Sequence, residues 1–191
     1  QDYFDSNISI VNELADESFL SLGNKMTILG KDKFYKVVFD PGNQSGAYLF
    51  ERFRTGFYEY KLIINENSDS IDYVIVFKNP LITTKYKSIF TDKVLGVKKI
   101  EREIRVAFDL ELSEYNNSET DSLHTLLKQN FNKKSKDNID LDKLSYIEDK
   151  RYNFSSSELP EENTLNQILF PAIIITVSAA AIILFFTIRS K

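Results

Sequence analysis

The chain has 191 residues, no cysteine and a formal net charge of −4, and 27% of its residues are charged. Without cysteine it forms no disulfide and offers neither a thiol nucleophile nor a thiolate ligand for a metal. Charges of both signs are interspersed and form no basic stripe, which argues against nucleic acid as a partner.

The first predicted element is a helix over residues 5–22. Apolar residues recur at helical spacing from Ile8 to Ala15, and Ser6 or Asn7 is suited to the N-cap. An irregular edge strand fits the same residues, so both interpretations stay open.

After this element the apolar period becomes two, which is typical of strands with one buried face. A tight turn is predicted at residues 40–43 (Asp-Pro-Gly-Asn), a polar hairpin turn at 65–70 and a strand end at Asn79-Pro80. The predicted strands cover residues 25–29, 35–39, 47–53, 57–64, 71–77 and 104–112.

These strands follow one another without the crossover helices that a parallel sheet needs. About six such strands favour an antiparallel sandwich or barrel. We therefore predict a mostly β fold, with an antiparallel β-sandwich ectodomain over residues 1–113. One parity in each strand collects the apolar side chains, so the predicted inward residues are Tyr35, Val37, Phe39, Tyr60, Leu62, Tyr73, Ile75, Phe77, Val106, Phe108 and Leu110.

Residues 114–167 are rich in Asn, Ser, Lys, Asp and Glu and are predicted to be a polar tether. Apolar residues between Leu123 and Phe131 follow helical spacing and predict a short amphipathic helix, and residues 141–147 indicate a second. Docking of these helices on their own domain and docking on a partner subunit are equal alternatives.

Residues 168–188 contain no charged side chain. A helix of that length covers the roughly 30 Å hydrocarbon core of a bilayer, so the segment predicts one C-terminal transmembrane helix, with a buried core helix as the alternative. Glutamates precede it and Arg189 and Lys191 follow it, which predicts a cytosolic tail at 189–191 and an N-terminal part outside the cytosol. The first residue is Gln1 and not Met, as expected after removal of a signal peptide. A tail-anchored protein would share the apolar segment but would keep its initiator Met.

Two kinds of non-catalytic site are predicted. Four asparagines fit Asn-x-Ser/Thr and are possible N-glycosylation sites: Asn7, Asn43, Asn116 and Asn153. Ala172, Thr176 and Ala180 repeat at four-residue spacing and form a small-residue stripe that would let another helix pack closely.

Residues for catalysis are scarce. His124 is the single histidine, and no nucleophile elbow accompanies it. Glu103, Asp109 and Glu111 share one strand face and are interpreted as a solvated face, and residues 42–46 lack the lysine of a phosphate-binding loop. We therefore expect no enzymatic activity, metal, cofactor or small-molecule substrate.

Several segments resemble the lumenal domain of subunit 10 of the ER membrane protein complex. The motifs that carry this resemblance are Phe-Tyr-Lys-Val-Val-Phe-Asp-Pro-Gly at 34–42, Ser-Gly-Ala-Tyr at 45–48, Tyr-Lys-Leu-Ile-Ile at 60–64, and Val-Ile-Val at 74–76 before Asn-Pro at 79–80. The alternating strand at 104–112 and Leu-Phe-Pro at 169–171 are similar to that family in order and spacing.

This resemblance implies a β-sandwich accessory subunit, anchored in the ER membrane with its N-terminal domain in the lumen. It would support insertion of transmembrane segments of client proteins, and its partners would be the lipid bilayer and the other subunits of a multisubunit membrane complex. The alternative is an independent receptor-like or glycan-processing ectodomain of the secretory pathway.

Overall fold

The computed structural model describes residues 4–64, 71–91, 96–115, 123–161 and 164–189. The elements are α1 (Asn7–Leu29), β1 (Phe34–Val38), α2 (Gln44–Gly56), β2 (Lys61–Ile64), β3 (Tyr73–Thr91), β4 (Lys98–Tyr115), β5 (Leu123–Asp140), α3 (Leu144–Ile147) and α4 (Thr164–Arg189). Single 3-10 turns cover Leu141–Lys143 and Asn153–Ser155.

The strands form one mixed sheet with the order β2-β1-β3-β4-β5. β1 runs parallel to both β2 and β3, whereas β3, β4 and β5 are antiparallel. The predicted antiparallel β-sandwich is therefore wrong, because helices and not a second sheet cover the apolar face. β2 and β3 lie on opposite sides of β1 and do not form the predicted hairpin, whose turn at 65–70 falls outside the described residues.

The helical interpretation of the N-terminal segment is confirmed, but α1 extends past Gly23 to Leu29. The Ser6 hydroxyl caps the helix by accepting from the Ser9 N–H at 3.1 Å. Met26 is fully buried on the helical face and Gly30 ends the helix with a φ of 109°. The predicted strand at 25–29 is wrong, because those residues continue the buried stripe of the helix.

The predicted strand at 47–53 is also wrong, because this segment lies in α2. The Asn43 side chain accepts from the Gly46 N–H at 3.1 Å, which starts the helix directly after the turn at 40–43. Leu49, Phe50 and Phe53 then form one buried face at helical spacing. α2 is the crossover that joins the parallel strands β1 and β2.

The larger of two cores lies between the sheet and the pair α1 and α2, and a smaller one contains Tyr86, Ile100, Ile139 and Ile147. The parity predicted for the long strand is confirmed, since alternate residues of β4 from Ile104 to Leu112 are buried. The predicted inward residues found buried are Tyr35, Val37, Ile75, Phe77, Val106, Phe108 and Leu110. Phe39, Tyr60, Leu62 and Tyr73 pack against the same core but are only partly buried.

Asn79-Pro80 does not end a strand, because β3 continues to Thr91. The register against β4 shifts between Lys78 and Leu81, and Asn79 has a φ of 52°. A β-bulge accommodates a proline, which has no N–H to donate, without ending the pairing of the two strands.

The helix predicted after residue 120 is wrong, because the segment from Leu123 forms strand β5 along β4. A register shift beside Leu112 lets the consecutive residues Leu126 and Leu127 both pack against the core. That bulge produces the spacing that imitates a helix. The second helix indicated at 141–147 is confirmed as a 3-10 turn followed by α3.

Within the described ranges, no helix is long and apolar enough to cross a membrane, so the predicted C-terminal transmembrane helix at 168–188 is not found. α4 occupies this part of the chain, and its described side chains run from Ala172 to Phe185.

Candidate functional site

The sheet has a second face, turned away from α1 and α2, which is polar and partly exposed. Strands place successive side chains on opposite faces, so the residues between the buried positions of β3, β4 and β5 share this surface. We call it the open face and define it by Lys78, Lys85, Lys87, Glu101, Glu103, Arg105, Asp109, Glu111, Lys128, Lys134 and Lys136.

Glu103 lies at the centre of this face, between cations from both neighbouring strands. Its carboxylate is 2.6 Å from Lys87 Nζ and 3.4 Å from Lys136 Nζ. The hydrogen bond donated by Lys87 holds the pKa of Glu103 below its usual range. Glu103 is therefore ionised at neutral pH and has no proton to donate to a substrate.

Asp109 and Glu111 are engaged in the same way. Asp109 accepts hydrogen bonds from two side-chain amides, that of Asn79 at 2.7 Å and that of Asn130. These bonds lower the pKa of Asp109. Glu111 accepts from Lys78 at 2.7 Å and from the Thr125 hydroxyl at 3.1 Å, and its pKa is lowered as well. A general acid needs a raised pKa, so the geometry favours a charged surface over a catalytic carboxylate pair.

These lowered pKa values predict a loss of stability in acid. The unfolded carboxyls, with ordinary pKa values of 3.8 for Asp109 and 4.5 for Glu111, bind protons before the folded ones do. Stability is therefore present above those values and is lost as pH falls through the lower folded pKa values. We expect urea unfolding between pH 7 and 3 to show this loss, and Glu103→Gln/Asp109→Asn/Glu111→Gln to lose less stability over the same range. An identical decline in both proteins would contradict the prediction.

Three lysines of the open face form no direct ion pair with these carboxylates. Lys85, Lys128 and Lys134 are exposed and form no ion pair with any described residue. Cations outnumber carboxylates on this face, although the whole chain carries a net charge of −4. The fold thus brings together on one face positive charges that are dispersed along the sequence.

His124 lies on β5 opposite Glu114 and is exposed. In the part of the chain that the structure describes, no three His, Asp or Glu side chains converge in a way that could hold a metal ion.

A buried polar cluster on the apolar side of the sheet was not predicted from the sequence. Arg102 is fully buried and pairs with both carboxylate oxygens of Asp137, and its Nη1 donates to the Asp5 carbonyl at 2.8 Å and to Asn7 Oδ1 at 2.7 Å. The Asn7 amide donates to the Tyr86 hydroxyl at 3.1 Å and to the Ser155 carbonyl. We call these five residues and Ser155 the Arg102 network.

The network joins the start of α1 to β3, β4, β5 and the segment after α3. The Tyr86 hydroxyl donates to Glu148 Oε1 at 2.8 Å, and burial raises the pKa of that hydroxyl. A signal was present in the sequence, since Arg102 shares the parity of Ile100 and Ile104 in β4. An arginine on the buried face of a strand requires a counter-ion and hydrogen-bond acceptors, and the pattern alone did not say which residues supply them.

The predicted glycosylation sites occupy very different environments. Asn7 is fully buried within the Arg102 network, and Asn43 is committed to capping α2. Asn153 is exposed, and Asn116 lies outside the described residues. Only Asn153 therefore offers a freely accessible amide among the three described sequons.

Ala172, Thr176 and Ala180 lie in α4 with exposed side chains. The Thr176 hydroxyl donates to the Ala172 carbonyl at 2.7 Å, so it is already satisfied within its own helix. Packing of this stripe against another helix stays a prediction.

Comparison with models of known protein families finds no match to this chain, and no curated protein is significantly similar to it.

Proposed function

We propose that this protein is a non-catalytic accessory protein that binds an acidic surface of a partner protein through its open face. The observation that carries the proposal is the surplus of positive charge on this face of a chain with a net charge of −4. Complementary potentials accelerate association and fix the orientation of the two proteins.

The layout of the charges supports binding to a protein surface. Glu103 is held between Lys87 and Lys136, so these side chains are already positioned by the fold. Lys85, Lys128 and Lys134 project from the same rigid strands and remain available to carboxylates of a partner. Groups positioned before binding lose less conformational entropy when the complex forms.

The finer proposal is that the partner belongs to a multisubunit membrane complex of the ER. The resemblance to subunit 10 of the ER membrane protein complex names such an assembly, in which this domain would lie in the lumen and support insertion of client proteins. The β-sandwich that the resemblance implies is not the fold found here. The finer proposal therefore depends on the motifs at 34–42, 45–48 and 60–64, whereas the open face supports only the binding function.

Charge reversal tests the binding surface in the full-length chain. We would compare Lys85→Glu/Lys128→Glu/Lys134→Glu with a control of equal charge change away from the open face, Lys25→Glu/Lys143→Glu/Lys150→Glu. Partners recovered in mild detergent at low salt would be quantified by mass spectrometry. The open-face variant should lose its partners at least about tenfold, since like charges brought together at an interface cost several kcal/mol.

The outcomes separate the candidate functions. Integral membrane proteins of one ER complex, recovered in fixed stoichiometry with the wild type and the control, would support the proposal and name the assembly. Equal recovery with both triple variants would rule out the open face as the binding surface. Turnover of a glycan or tight binding of a soluble ligand by the purified chain alone would favour the receptor-like or glycan-processing alternative.

Lumenal location predicts a glycan at Asn153, because its side chain is exposed whereas those of Asn7 and Asn43 are engaged. Endoglycosidase should increase the mobility of the Asn116→Gln variant expressed in its own secretory pathway, and adding Asn153→Gln should abolish that change. Ser9→Ala destroys the Asn7 sequon while leaving the buried Asn7 amide in place, and it should leave the glycan pattern unaltered. Loss of glycan in Ser9→Ala, with retention in Asn153→Gln, would contradict the assignment.

A further inference from the structure

The outer edge of β5 is a long backbone edge without a partner strand among the described residues. β5 has eighteen residues and ends the sheet on one side, whereas β2, which ends it on the other side, has four. In the part of the chain that the structure describes, no backbone hydrogen bond reaches β5 from any segment other than β4. In an antiparallel pair every second residue directs its N–H and C=O away from the partner, so this edge presents a row of donors and acceptors.

β5 also has the regular geometry that a further strand needs. From Lys128 to Asp140 it pairs with β4 residue by residue, and the register shift of this pair lies before that stretch, beside Leu112. β5 contains no proline and no glycine. Natural proteins close an edge with short strands, prolines, bulges or charged side chains, and only charge applies here. Charged side chains select by sign, so they leave the edge open to a strand of opposite charge.

The charge on this edge is positive. Lys128, Lys134 and Lys136 are exposed and lie on the open face. Lys136 pairs with Glu103 at 3.4 Å, whereas Lys128 and Lys134 form no ion pair with any described residue. Side chains at opposite positions of neighbouring strands lie about 5 Å apart, so carboxylates on an added strand would meet these ammonium groups.

The other face of β5 borders the larger core. The ring centroid of Phe131 lies 5.0 Å from that of Phe108, and Phe131 is only partly buried. α1 lies over this face, where the Ser21 hydroxyl donates to Gln129 Oε1. An apolar side chain on an added strand would therefore lie beside Phe131 and bury more of its ring.

We propose that an extended acidic segment of a partner protein adds to the five-stranded sheet along β5, with alternate carboxylates on the open face and an apolar residue beside Phe131. This inference rests on the proposed function and specifies how the partner binds. Main-chain hydrogen bonds to the β5 edge supply much of the affinity, and Lys128, Lys134 and Lys136 select a segment with carboxylates at alternate positions.

The peptide Glu-Thr-Glu-Val-Glu-Val-Glu-Thr-Glu, with blocked termini, is the probe and is titrated into the full-length protein at low salt. Its glutamates share one face of a strand and its valines the other. Amide hydrogen exchange should slow at every second residue between 128 and 136, because only the outward N–H groups gain an acceptor. The alternate amides, which already bond to β4, serve as the internal reference.

Two controls separate strand addition from contact between charges. The same peptide with every amide N-methylated keeps its charges and side chains but donates no backbone hydrogen bond, so it should bind at least about tenfold more weakly. Lys128→Glu/Lys134→Glu should also bind the unmodified peptide at least about tenfold more weakly. Lys25→Glu/Lys150→Glu, which changes the net charge equally away from β5, should bind it as the wild type does.

Slower exchange at alternate residues of β5, together with weak binding of the methylated peptide, is the result that supports the proposal. Equal binding of the two peptides would overturn strand addition and leave the proposed function of the open face intact. No binding of the unmodified peptide would overturn it as well. Protection of the same amides that increases with protein concentration, without peptide, would show that a second copy occupies the edge, which would also refute the proposal. Failure of the proposed function is recognised separately, since Lys85→Glu/Lys128→Glu/Lys134→Glu would then keep its partners.

Discussion

Phe108→Ala should lower the free energy of unfolding by about 4 kcal/mol, within the range measured for large aromatic residues in protein cores. The Phe108 side chain is 2% exposed. Its ring centroid lies 5.6 Å from that of Phe19 in α1, 5.8 Å from Phe77 in β3 and 5.0 Å from Phe131 in β5. Truncation therefore loses the free energy gained by transferring the ring from water to the core. It also leaves a cavity that α1 and the three surrounding strands cannot fill by moving inward.

Urea unfolding at neutral pH measures this effect. Tyr58→Ala is the size-matched control, because Tyr58 is 77% exposed and its removal should change stability by no more than about 0.5 kcal/mol. If both changes cost the same, Phe108 does not occupy the centre of the core and the parity of β4 is misassigned.

Asp137→Ala should cost about 2 kcal/mol, because it removes the counter-ion of a fully buried guanidinium, while the 37% exposure of the Asp137 side chain lets water screen part of the pair. Arg102 would keep its bonds to the Asp5 carbonyl and Asn7 Oδ1, but its charge would have no partner in the core. Uncompensated buried charge is more costly than the loss of the ion pair itself.

The double variant Arg102→Met/Asp137→Ala distinguishes these two costs. It removes the stranded charge as well, so it should be more stable than Asp137→Ala alone. Lys133→Ala serves as the control on the same strand, since its exposed pair with Glu17 should contribute no more than about 1 kcal/mol. A double variant less stable than Asp137→Ala would show that Arg102 stabilises the fold through its other bonds and not through the ion pair.

Side-chain parity was the part of the fold that the sequence determined well. β4 alternates strictly from Ile104 to Leu112, so its apolar residues all lie on one face, and that face is the one that α1 and α2 cover. The same reasoning identified Tyr35, Val37 and Ile75. Parity depends only on local geometry and burial, which explains why it holds although the predicted sandwich is wrong.

Short apolar segments were misassigned where contacts with the rest of the fold, and not the spacing of their apolar residues, decided between helix and strand. Residues 47–53 alternate loosely and became a helix because Asn43 caps them and β1 needs a crossover to reach β2. β5 became a strand because eighteen residues of β4 offered it a partner edge, and its bulge disguised the alternation. The residues of α2 do not themselves show that a crossover is needed, and the residues of β5 do not show that β4 has a free edge.

The sites were less predictable than the core, since each combines residues that are remote in sequence. Arg102 meets Asn7 from 95 residues away in the sequence. The open face was anticipated as a solvated surface, but its excess of lysine depends on β5 lying beside β4. Composition could not show that pairing.

β5 is the outermost strand on its side of the sheet, and it is eighteen residues long. Long outer strands are the places where a second copy can add its own strand and start a growing aggregate. Along β5 lie Lys128, Lys133, Lys134 and Lys136, and two copies brought edge to edge would press these ammonium groups against one another. The resulting repulsion disfavours edge-to-edge pairing of two copies through β5. Salt high enough to screen the lysine charges would weaken this repulsion.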